Sequence, residues 1–259
     1  MNNQGLFSLS SSAAAVVGGG GVLAGAMAEG LAGAGADIAI LDYNQDAAEA
    51  RAAVIRKNTG RRAIAIQTDA TQKSHLERAL KEMVDTFGRV DILVNAAGIN
   101  SGTPFFEIEE PEWQKILDVN LKSVFLACQV FGKAMIDAGR GGSIISISSA
   151  SSGPPLSKVF TYSVTKAGVN QITMFLAREF APYKVRVNAI LPGFFPAEQN
   201  RKLLTPERTA QIMTHTPMNR FGEAEELVGA TIYLASEKAS SFVTGSILRV
   251  DGGYLAMTI

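Results

Sequence analysis

The stretch VVGGGGVLAGAM, residues 16–27, places four consecutive glycines between two apolar runs. Glycines in a turn between a strand and a helix let the backbone N–H groups and the helix N-terminus approach a pyrophosphate. Glycine is also favoured where a strand and a helix simply pack closely, and glycine runs occur in flexible joints and in apolar export segments. The rest of the sequence distinguishes these interpretations.

The N-terminal part of the chain has no charged side chain before Glu29 and no basic one before Arg51. A signal peptide needs a basic segment before its apolar core, and a membrane helix needs about 20 predominantly apolar residues that favour helix. The opening MNNQGLFSLSSS has no Lys or Arg, and four glycines would weaken a helix. We therefore expect neither kind of segment, and a cytoplasmic protein that does not bind membranes.

Composition excludes several function classes. The chain has 259 residues, with 24 basic (Lys, Arg) and 24 acidic side chains, which leaves no basic face of the size that nucleic-acid binding requires. One cysteine and two histidines are too few for an internal disulfide or a structural zinc site. We therefore expect no nucleic-acid partner and no metal.

Apolar, strand-like segments alternate with helical segments along the chain. After the glycines, the predicted strands are DIAILD, RAIAIQTD, DILVNAAG, GSIISISS, KVRVNAI and SILRVDGG. The helices between them include one from about Pro111 to Ala138, one around Ser163 to Phe180 and one beginning near Glu223. Such strands imply a parallel sheet covered by helices on both faces. The sequence therefore predicts one doubly wound α/β domain over residues 1–259, with ligands at the carboxyl ends of the strands.

An acidic side chain, Asp42, stands at the end of the second predicted strand, roughly 20 residues after the glycines. A carboxylate there accepts hydrogen bonds from the adenosine ribose and repels a 2′-phosphate, which favours NAD over NADP. The alternative is an acid that is favoured by the positive end of the following helix. With Asp42, the glycine turn is interpreted as a dinucleotide site.

The segment YSVTK places Tyr162 and Lys166 one helical turn apart on the same face. A neighbouring ammonium favours phenolate and lowers the tyrosine pKa, which makes a general acid/base for an alcohol or carbonyl oxygen. Ser149, at the end of GSIISISS, would hold that oxygen where charge develops. Asn120 in DVNLKS would either relay a proton through water to Lys166 or satisfy a bent helix.

These pieces follow one another over essentially the whole chain as the glycine turn, Asp42, QTDA, NAAG, the helical Asn120, Ser149, YSVTK and NAILPG. The combined pattern resembles the short-chain dehydrogenase/reductase family. The resemblance implies a single-domain Rossmann fold, an NAD-dependent oxidoreductase and a catalytic tetrad of Asn120, Ser149, Tyr162 and Lys166. In that tetrad Tyr162 would exchange the proton, Lys166 would hold the nicotinamide ribose and Asn120 would support the relay.

The resemblance also implies which residues bind the cofactor. Asp69 and Ala70 match positions that border adenine, and residues 95–98 and 192–195 match positions that face the nicotinamide half. The full set is Gly18, Gly20, Gly21, Leu23, Asp42, Asp69, Ala70, Asn95, Ala96, Gly98, Tyr162, Lys166, Pro192, Gly193 and Phe195.

The glycine turn departs from the family pattern Thr-Gly-x-x-x-Gly-x-Gly. Val17 replaces the threonine, Val22 the second glycine and Ala24 the third. Val17 lacks the hydroxyl that helps to fix the turn, and Ala24 adds a methyl group where helix and strand approach closely. We expect a slightly displaced loop and a lower cofactor affinity. Ala197 stands where many relatives place a threonine that contacts the carboxamide.

The segments GGGGVLAGAMAEGL, PLSKVFTYS, PGFFPAEQNRKLLT and HTPMNRFGE are similar to the branch of this family that interconverts mannonate and fructuronate. A sugar-acid pocket needs donors for a carboxylate and partners for several hydroxyl groups. We expect them from Asn100, Ser149, Lys158, Asn200 and Arg201, with a substrate lid over about residues 194–222. Alternatively, Lys158 and Arg201 are solvated surface charges.

Two other functions remain open from the sequence. One is the same chemistry on a different carbonyl, such as a 3-oxoacyl thioester, a steroid or a neutral ketose, and the other is a non-catalytic nucleotide sensor. The complete tetrad argues against the sensor. Relatives of this family are commonly tetramers, and SILRVDGGYLAMTI ends in apolar residues that a monomer would not readily expose, so we expect a homotetramer.

Overall fold

A single parallel sheet organises the domain. The computed structural model describes residues 5–154, 156–196 and 204–257. In this part of the chain the strands are β1 (Ala13–Val17), β2 (Asp37–Asp42), β3 (Ala63–Gln67), β4 (Ile92–Asn95), β5 (Gly142–Ile147), β6 (Val185–Pro192) and β7 (Ile247–Val250). Their order is β3-β2-β1-β4-β5-β6-β7, and each neighbouring pair is parallel. The predicted doubly wound α/β fold is confirmed.

Helices connect these strands. In the described residues they are α1 (Val22–Gly33), α2 (Gln45–Thr59), α3 (Lys73–Phe87), α4 (Glu110–Leu117), α5 (Ser123–Ala138), α6 (Phe160–Phe180), α7 (Pro206–Thr214), α8 (Glu226–Ala235) and α9 (Glu237–Ser240). Two helices begin a few residues away from their predicted starts. α6 begins at Phe160 rather than around Ser163, and α8 begins at Glu226 rather than near Glu223.

The helices form a layer on each face of the sheet. Leu31 of α1 and Ile55 of α2 pack in one layer, whereas Met83 of α3, Phe131 of α5 and Val169 of α6 pack in the other. All five residues of β1 are buried, and alternate residues contribute to opposite layers. A strand that is buried on both faces reads as a continuous apolar run, which explains why no polar alternation is seen in the sequence.

The four glycines form a tight turn between β1 and α1. Gly18 has a φ of +76°, and a β-carbon built on it would lie 2.7 Å from the backbone nitrogen of Ala97. Its N–H donates to the carbonyl of Leu41 at 2.7 Å, and the N–H of Gly21 donates to the carbonyl of Gly18 at 3.2 Å. Because the turn is hydrogen-bonded to β2, it is not a flexible joint.

The predicted helix from Pro111 to Ala138 is interrupted. α4 continues into α5 through a wide turn of π-helical type over Asp118–Lys122. The whole segment Glu110–Ala138 is long and apolar enough to cross a membrane by length and composition, but 56% of its apolar window is buried inside the domain. Core helices of globular proteins have the same composition, and this one packs against the sheet through Phe131.

Candidate active site

A cleft lies at the carboxyl ends of the strands, as the fold requires. It is bordered by the segments that follow β4, β5 and β6 and by the start of α6. The predicted site residues that line it are Leu23, Asn100, Ser149, Tyr162, Pro192, Gly193 and Phe195. The fold therefore brings predicted catalytic residues and predicted cofactor residues to one opening.

Asn120 lies in the wide turn between α4 and α5 and is fully buried. Its Oδ1 accepts a hydrogen bond from the N–H of Ile99, and its Nδ2 donates to the carbonyl of Ile99, both at 2.8 Å. Nδ2 also lies 3.3 Å from Oγ1 of Thr165 on α6. Asn120 thus connects the wide turn between α4 and α5 to the segment after β4. Its side chain does not serve the backbone groups of its own helix.

Lys166 is buried on α6, and its Nζ donates to the carbonyl of Ile147 at the end of β5 at 2.8 Å. The same nitrogen lies 5.5 Å from the ring centroid of Tyr162. A β-carbon built on Gly98 would lie 3.5 Å from Asn120 Oδ1 and 3.7 Å from Lys166 Nζ, so this glycine adjoins both side chains. Burial lowers the pKa of Lys166 to about 8, since charging the amine requires water that the interior lacks.

Tyr162 and Ser149, the predicted reactive pair, both line the cleft. Burial raises the pKa of the Tyr162 phenol, and a hydrogen bond with Ser149 acts in the opposite direction with a smaller effect. Ser149 Oγ also accepts from the N–H of Ser151 at 3.2 Å. The sequence predicted a lowered tyrosine pKa, and for the protein alone this is wrong, because desolvation of the phenolate raises the pKa by more than the hydrogen bond with Ser149 lowers it.

The carboxylate of Asp42 closes the glycine turn. Its Oδ2 accepts from the N–H of Gly20 at 3.0 Å and its Oδ1 from the N–H of Asn44 at 2.9 Å. A β-carbon built on Gly20 would lie 2.9 Å from Cβ of Ala47 and 3.0 Å from the Asp42 carboxylate, so the turn packs closely against Asp42 and α2 and leaves no room for a side chain. Asn44, not Asp42, caps α2 through its bond from Ala47 N–H at 3.1 Å. The N–H groups of a glycine turn and a carboxylate at the end of β2 are the groups that a dinucleotide requires, so the residues fit that cofactor, and the contact of Asp42 with its ribose stays a prediction.

The remaining predicted cofactor residues lie in two places. Asp69 and Ala70 follow β3 and are half-buried. Asp69 Oδ1 accepts from the N–H of Thr71 at 2.9 Å, which shapes that turn. Asn95 is buried at the end of β4, where its Nδ2 lies 3.3 Å from Ser146 Oγ on β5, so its side chain stabilises the sheet. Ala96 follows it and is half-buried.

The turn accommodates its three departures from the family pattern. Val17 and Ala24 are both buried, and Ala24 packs in the core layer of α1. Val22 is about half exposed, at 53%. The strand-to-helix turn therefore forms without a threonine hydroxyl or the second and third glycines, and the expected loss of cofactor affinity stays a prediction.

The predicted substrate residues are not all at the cleft. Asn100 lines it. Lys158 is exposed, with a φ of +66°, and does not line it. Asn200 and Arg201 lie outside the described residues, as do Ala197 and part of the predicted lid.

Sequence reasoning missed Arg208, which lines the cleft from α7. Its Nη2 donates to the carbonyl of Ser157 at 3.0 Å, and its Nη1 lies 3.4 Å from Ser157 Oγ. Helical spacing offered a signal, because Arg208 is one turn before the buried Ile212 and hence on the same face of α7.

A family model described as enoyl-(acyl carrier protein) reductase, of the short-chain dehydrogenase type, matches residues 21–255. The chain belongs to the short-chain dehydrogenase/reductase family. It is 40% identical over 259 residues to the oxidoreductase UxuB of Bacillus subtilis, a match that covers 91% of this chain and 92% of that protein.

Two solved structures resemble this short-chain dehydrogenase/reductase closely. One is a gluconate 5-dehydrogenase of Burkholderia cenocepacia in complex with NADP and tartrate, with 34% identity, a TM-score of 0.92 and coverage of 97% and 98% of the two chains. The other is assigned as a D-mannonate oxidoreductase of Haemophilus influenzae with bound NAD, with 34% identity, a TM-score of 0.91 and 99% coverage of each chain. The chain is thus an oxidoreductase that depends on a nicotinamide nucleotide.

Proposed function

We propose that this protein is an NAD(H)-dependent oxidoreductase that interconverts a secondary alcohol and a ketone on a sugar acid, with mannonate and fructuronate as the first candidates. The observation that carries the proposal is the Ser149–Tyr162 pair at the cleft, backed by the buried Lys166. The substrate class is supported by the two structures named for sugar acids. A cytoplasmic location belongs to the same proposal.

The site residues would move the proton as follows. Ser149 and Tyr162 would hold the substrate oxygen by their hydroxyl groups, and Tyr162 would donate its proton to a ketone or accept one from an alcohol. A nicotinamide nucleotide supplies or accepts the hydride when bound. Because the Tyr162 pKa is raised, the phenol is protonated at neutral pH and is ready to act as an acid in ketone reduction. Alcohol oxidation requires the phenolate, so its rate would rise at alkaline pH.

The nucleotide would be held by the glycine turn, Asp42 and the segments after β3, β4 and β6. Gly98 adjoins Lys166 and Asn120, which fits the predicted contact of that region with the nicotinamide ribose. Asp42 would accept hydrogen bonds from the adenosine ribose and repel a 2′-phosphate. Its two bonds from backbone N–H groups keep the carboxylate beside the turn.

We expect NADH to support turnover better than NADPH, and sugar acids to be reduced better than neutral ketoses or acyl thioesters. The measurement is absorbance of the reduced nicotinamide across a panel of fructuronate, fructose and a 3-oxoacyl thioester. Equal or faster turnover with NADPH would overturn the choice of NAD. A preference for the neutral ketose would overturn the choice of a sugar acid.

The Asp42→Ala variant should lose much of the preference for NADH, and the exposed Asp46→Ala variant is its matched control. Asp46 also lies near the start of α2, so it reports any general effect of removing an acid there. The ratio of NADH to NADPH efficiency is the readout, because loosening the turn would weaken both nucleotides. An unchanged ratio in Asp42→Ala contradicts the assigned role.

A different carbonyl substrate is the second candidate. Much of the cleft wall is apolar, including Leu156, Val159, Leu204 and Phe221, which would also suit an acyl chain. The thioester in the panel decides between the two candidates.

We also propose a homotetramer. Large apolar side chains are exposed on the helix layer that contains α5 and α6. Among them are Phe125 on α5 and Phe175 on α6, at 48% and 62% exposure. Light scattering should give a tetramer at micromolar concentration, since such patches mark subunit contacts. Phe175→Asp should dissociate it, whereas Val54→Asp, on α2 in the opposite layer, should leave it intact. A monodisperse monomer contradicts the proposal.

A further inference from the structure

One charged side chain, that of Arg208, lines the cleft. Among the described residues that line the cleft, Arg208 has the only charged side chain, and it lines the same opening as Ser149 and Tyr162. Apolar side chains, including Leu204 and Phe221, line the same opening. A cation that a bound ligand shields from water favours an anionic ligand. An uncharged ligand would remove water from the guanidinium without supplying an opposite charge.

The arginine is fixed at both ends. Its backbone N–H donates to Oγ1 of Thr205, the N-cap of α7, at 3.2 Å. Its guanidinium donates to the carbonyl of Ser157 at 3.0 Å and lies 3.4 Å from Ser157 Oγ. Ser157 belongs to the segment between β5 and α6, so Arg208 spans the cleft from α7 to the segment that precedes Tyr162.

Donor groups of the guanidinium remain for a ligand. A guanidinium carries five N–H donors, of which the two contacts with Ser157 use two. In the described part of the chain, no carboxylate lies within 4.0 Å of Arg208. Other arginines do form ion pairs, such as Arg220 with Glu226 at 2.6 Å. The planar fork is suited to bidentate recognition of a carboxylate.

We propose that Arg208 binds the carboxylate of the substrate and thereby sets the specificity of the enzyme for an acid over a neutral ketose. This inference rests on the proposed function as a sugar-acid oxidoreductase. The contacts with Ser157 hold the guanidinium in place, and the ligand carboxylate takes the donors that Ser157 leaves. Lys158, the neighbouring cation that the sequence suggested, is exposed and outside the cleft lining.

The test compares kcat/KM for fructuronate and for fructose in Arg208→Met and Arg208→Lys. Losing a charged hydrogen bond should lower kcat/KM for fructuronate roughly ten- to hundred-fold in Arg208→Met, with a much smaller change for fructose. Arg208→Lys should lose less, because it keeps the charge but not the planar fork. The matched control is Arg140→Met. Arg140 is exposed and lies just before the amino end of β5, whereas the cleft lies at the carboxyl ends of the strands.

A binding measurement separates this inference from the proposed function. Gluconate carries the carboxylate but is already an alcohol, so in the presence of NADH it serves as an unreactive probe of the substrate site. It should inhibit carbonyl reduction competitively in the wild type, and its inhibition constant should rise roughly ten- to hundred-fold in Arg208→Met. Failure of the proposed function would appear as poor turnover of every sugar acid by the wild type.

Two results overturn the role of Arg208 whatever the preferred substrate. One is an equal loss on fructuronate and fructose in Arg208→Met, which would mean that the residue only holds the cleft together through Ser157. The other is an inhibition constant for gluconate that does not change in the variant.

Discussion

Tyr162→Phe should lower turnover by at least about 100-fold, the usual effect of losing a general acid. The substitution keeps the ring that lies near Lys166 but removes the hydroxyl that we propose exchanges the proton. NADH binding should be retained, because the glycine turn and Asp42 lie on other elements. Steady-state turnover together with a fluorescence titration of NADH measures both effects.

The pH dependence gives the same variant a second readout. In the wild type the raised pKa of Tyr162 means that alcohol oxidation should accelerate as pH rises, because only the phenolate accepts the proton. Tyr162→Phe should lose this rise along with the activity. Tyr183→Phe is the matched control, since Tyr183 is exposed and lies just before the amino end of β6, away from the carboxyl ends that border the cleft. Near-normal turnover in Tyr162→Phe would remove the phenol from the mechanism.

Lys166→Met should abolish most activity and yet make the nucleotide-free protein more stable. Lowering a lysine pKa from 10.5 to about 8 corresponds to about 3 kcal/mol of unfavourable burial of the charge at neutral pH. Loss of the bond to the carbonyl of Ile147 costs about 1 kcal/mol, so the free energy of unfolding at pH 7 should rise by about 2 kcal/mol. Denaturant unfolding followed by circular dichroism measures this change.

The sign of the pH dependence identifies the source of that gain. Between pH 8 and 10.5 the unfolded chain keeps the lysine proton that the folded chain has released, so the Lys166 contribution makes wild-type stability rise with pH. The advantage of Lys166→Met should therefore be constant below about pH 7 and shrink towards pH 10. Lys133→Met, whose side chain is 75% exposed, should show no such trend. A variant that is less stable than the wild type at neutral pH would contradict the assignment.

This pair of effects has a functional meaning. A buried amine with a perturbed pKa is typical of functional sites, where chemistry is favoured over stability. Lys166 is next to Gly98 and to Tyr162, where we propose that the nicotinamide ribose and the reacting oxygen lie. Lys166 therefore lowers the free energy of unfolding at the place where we propose that catalysis occurs.

Local patterns in the sequence were sufficient for the fold class and for the shared helix face of Tyr162 and Lys166, whereas the tetrad as a whole is implied by the family resemblance and stays a prediction. Continuous apolar runs separated by helical segments predict a parallel sheet that is covered on both faces. The four glycines predict the turn at Gly18 because its left-handed backbone and the nearby Ala97 exclude a side chain. The spacing of Tyr162 and Lys166 predicts their shared face, since residues four apart on a helix are neighbours.

Packing between distant segments decided what the sequence could not. The direction of the Tyr162 pKa depends on desolvation by several elements, and a neighbouring lysine in the sequence does not reveal how much water remains. The wide turn that aims Asn120 at Ile99 is set by contacts with the segment after β4, not by the helical pattern around it. Arg208 and Ser157 meet across 51 residues of sequence, whereas Lys158 beside Ser157 turns to the surface. A side chain's place in a cleft is fixed by tertiary contacts, and these are not encoded in any short stretch of the chain.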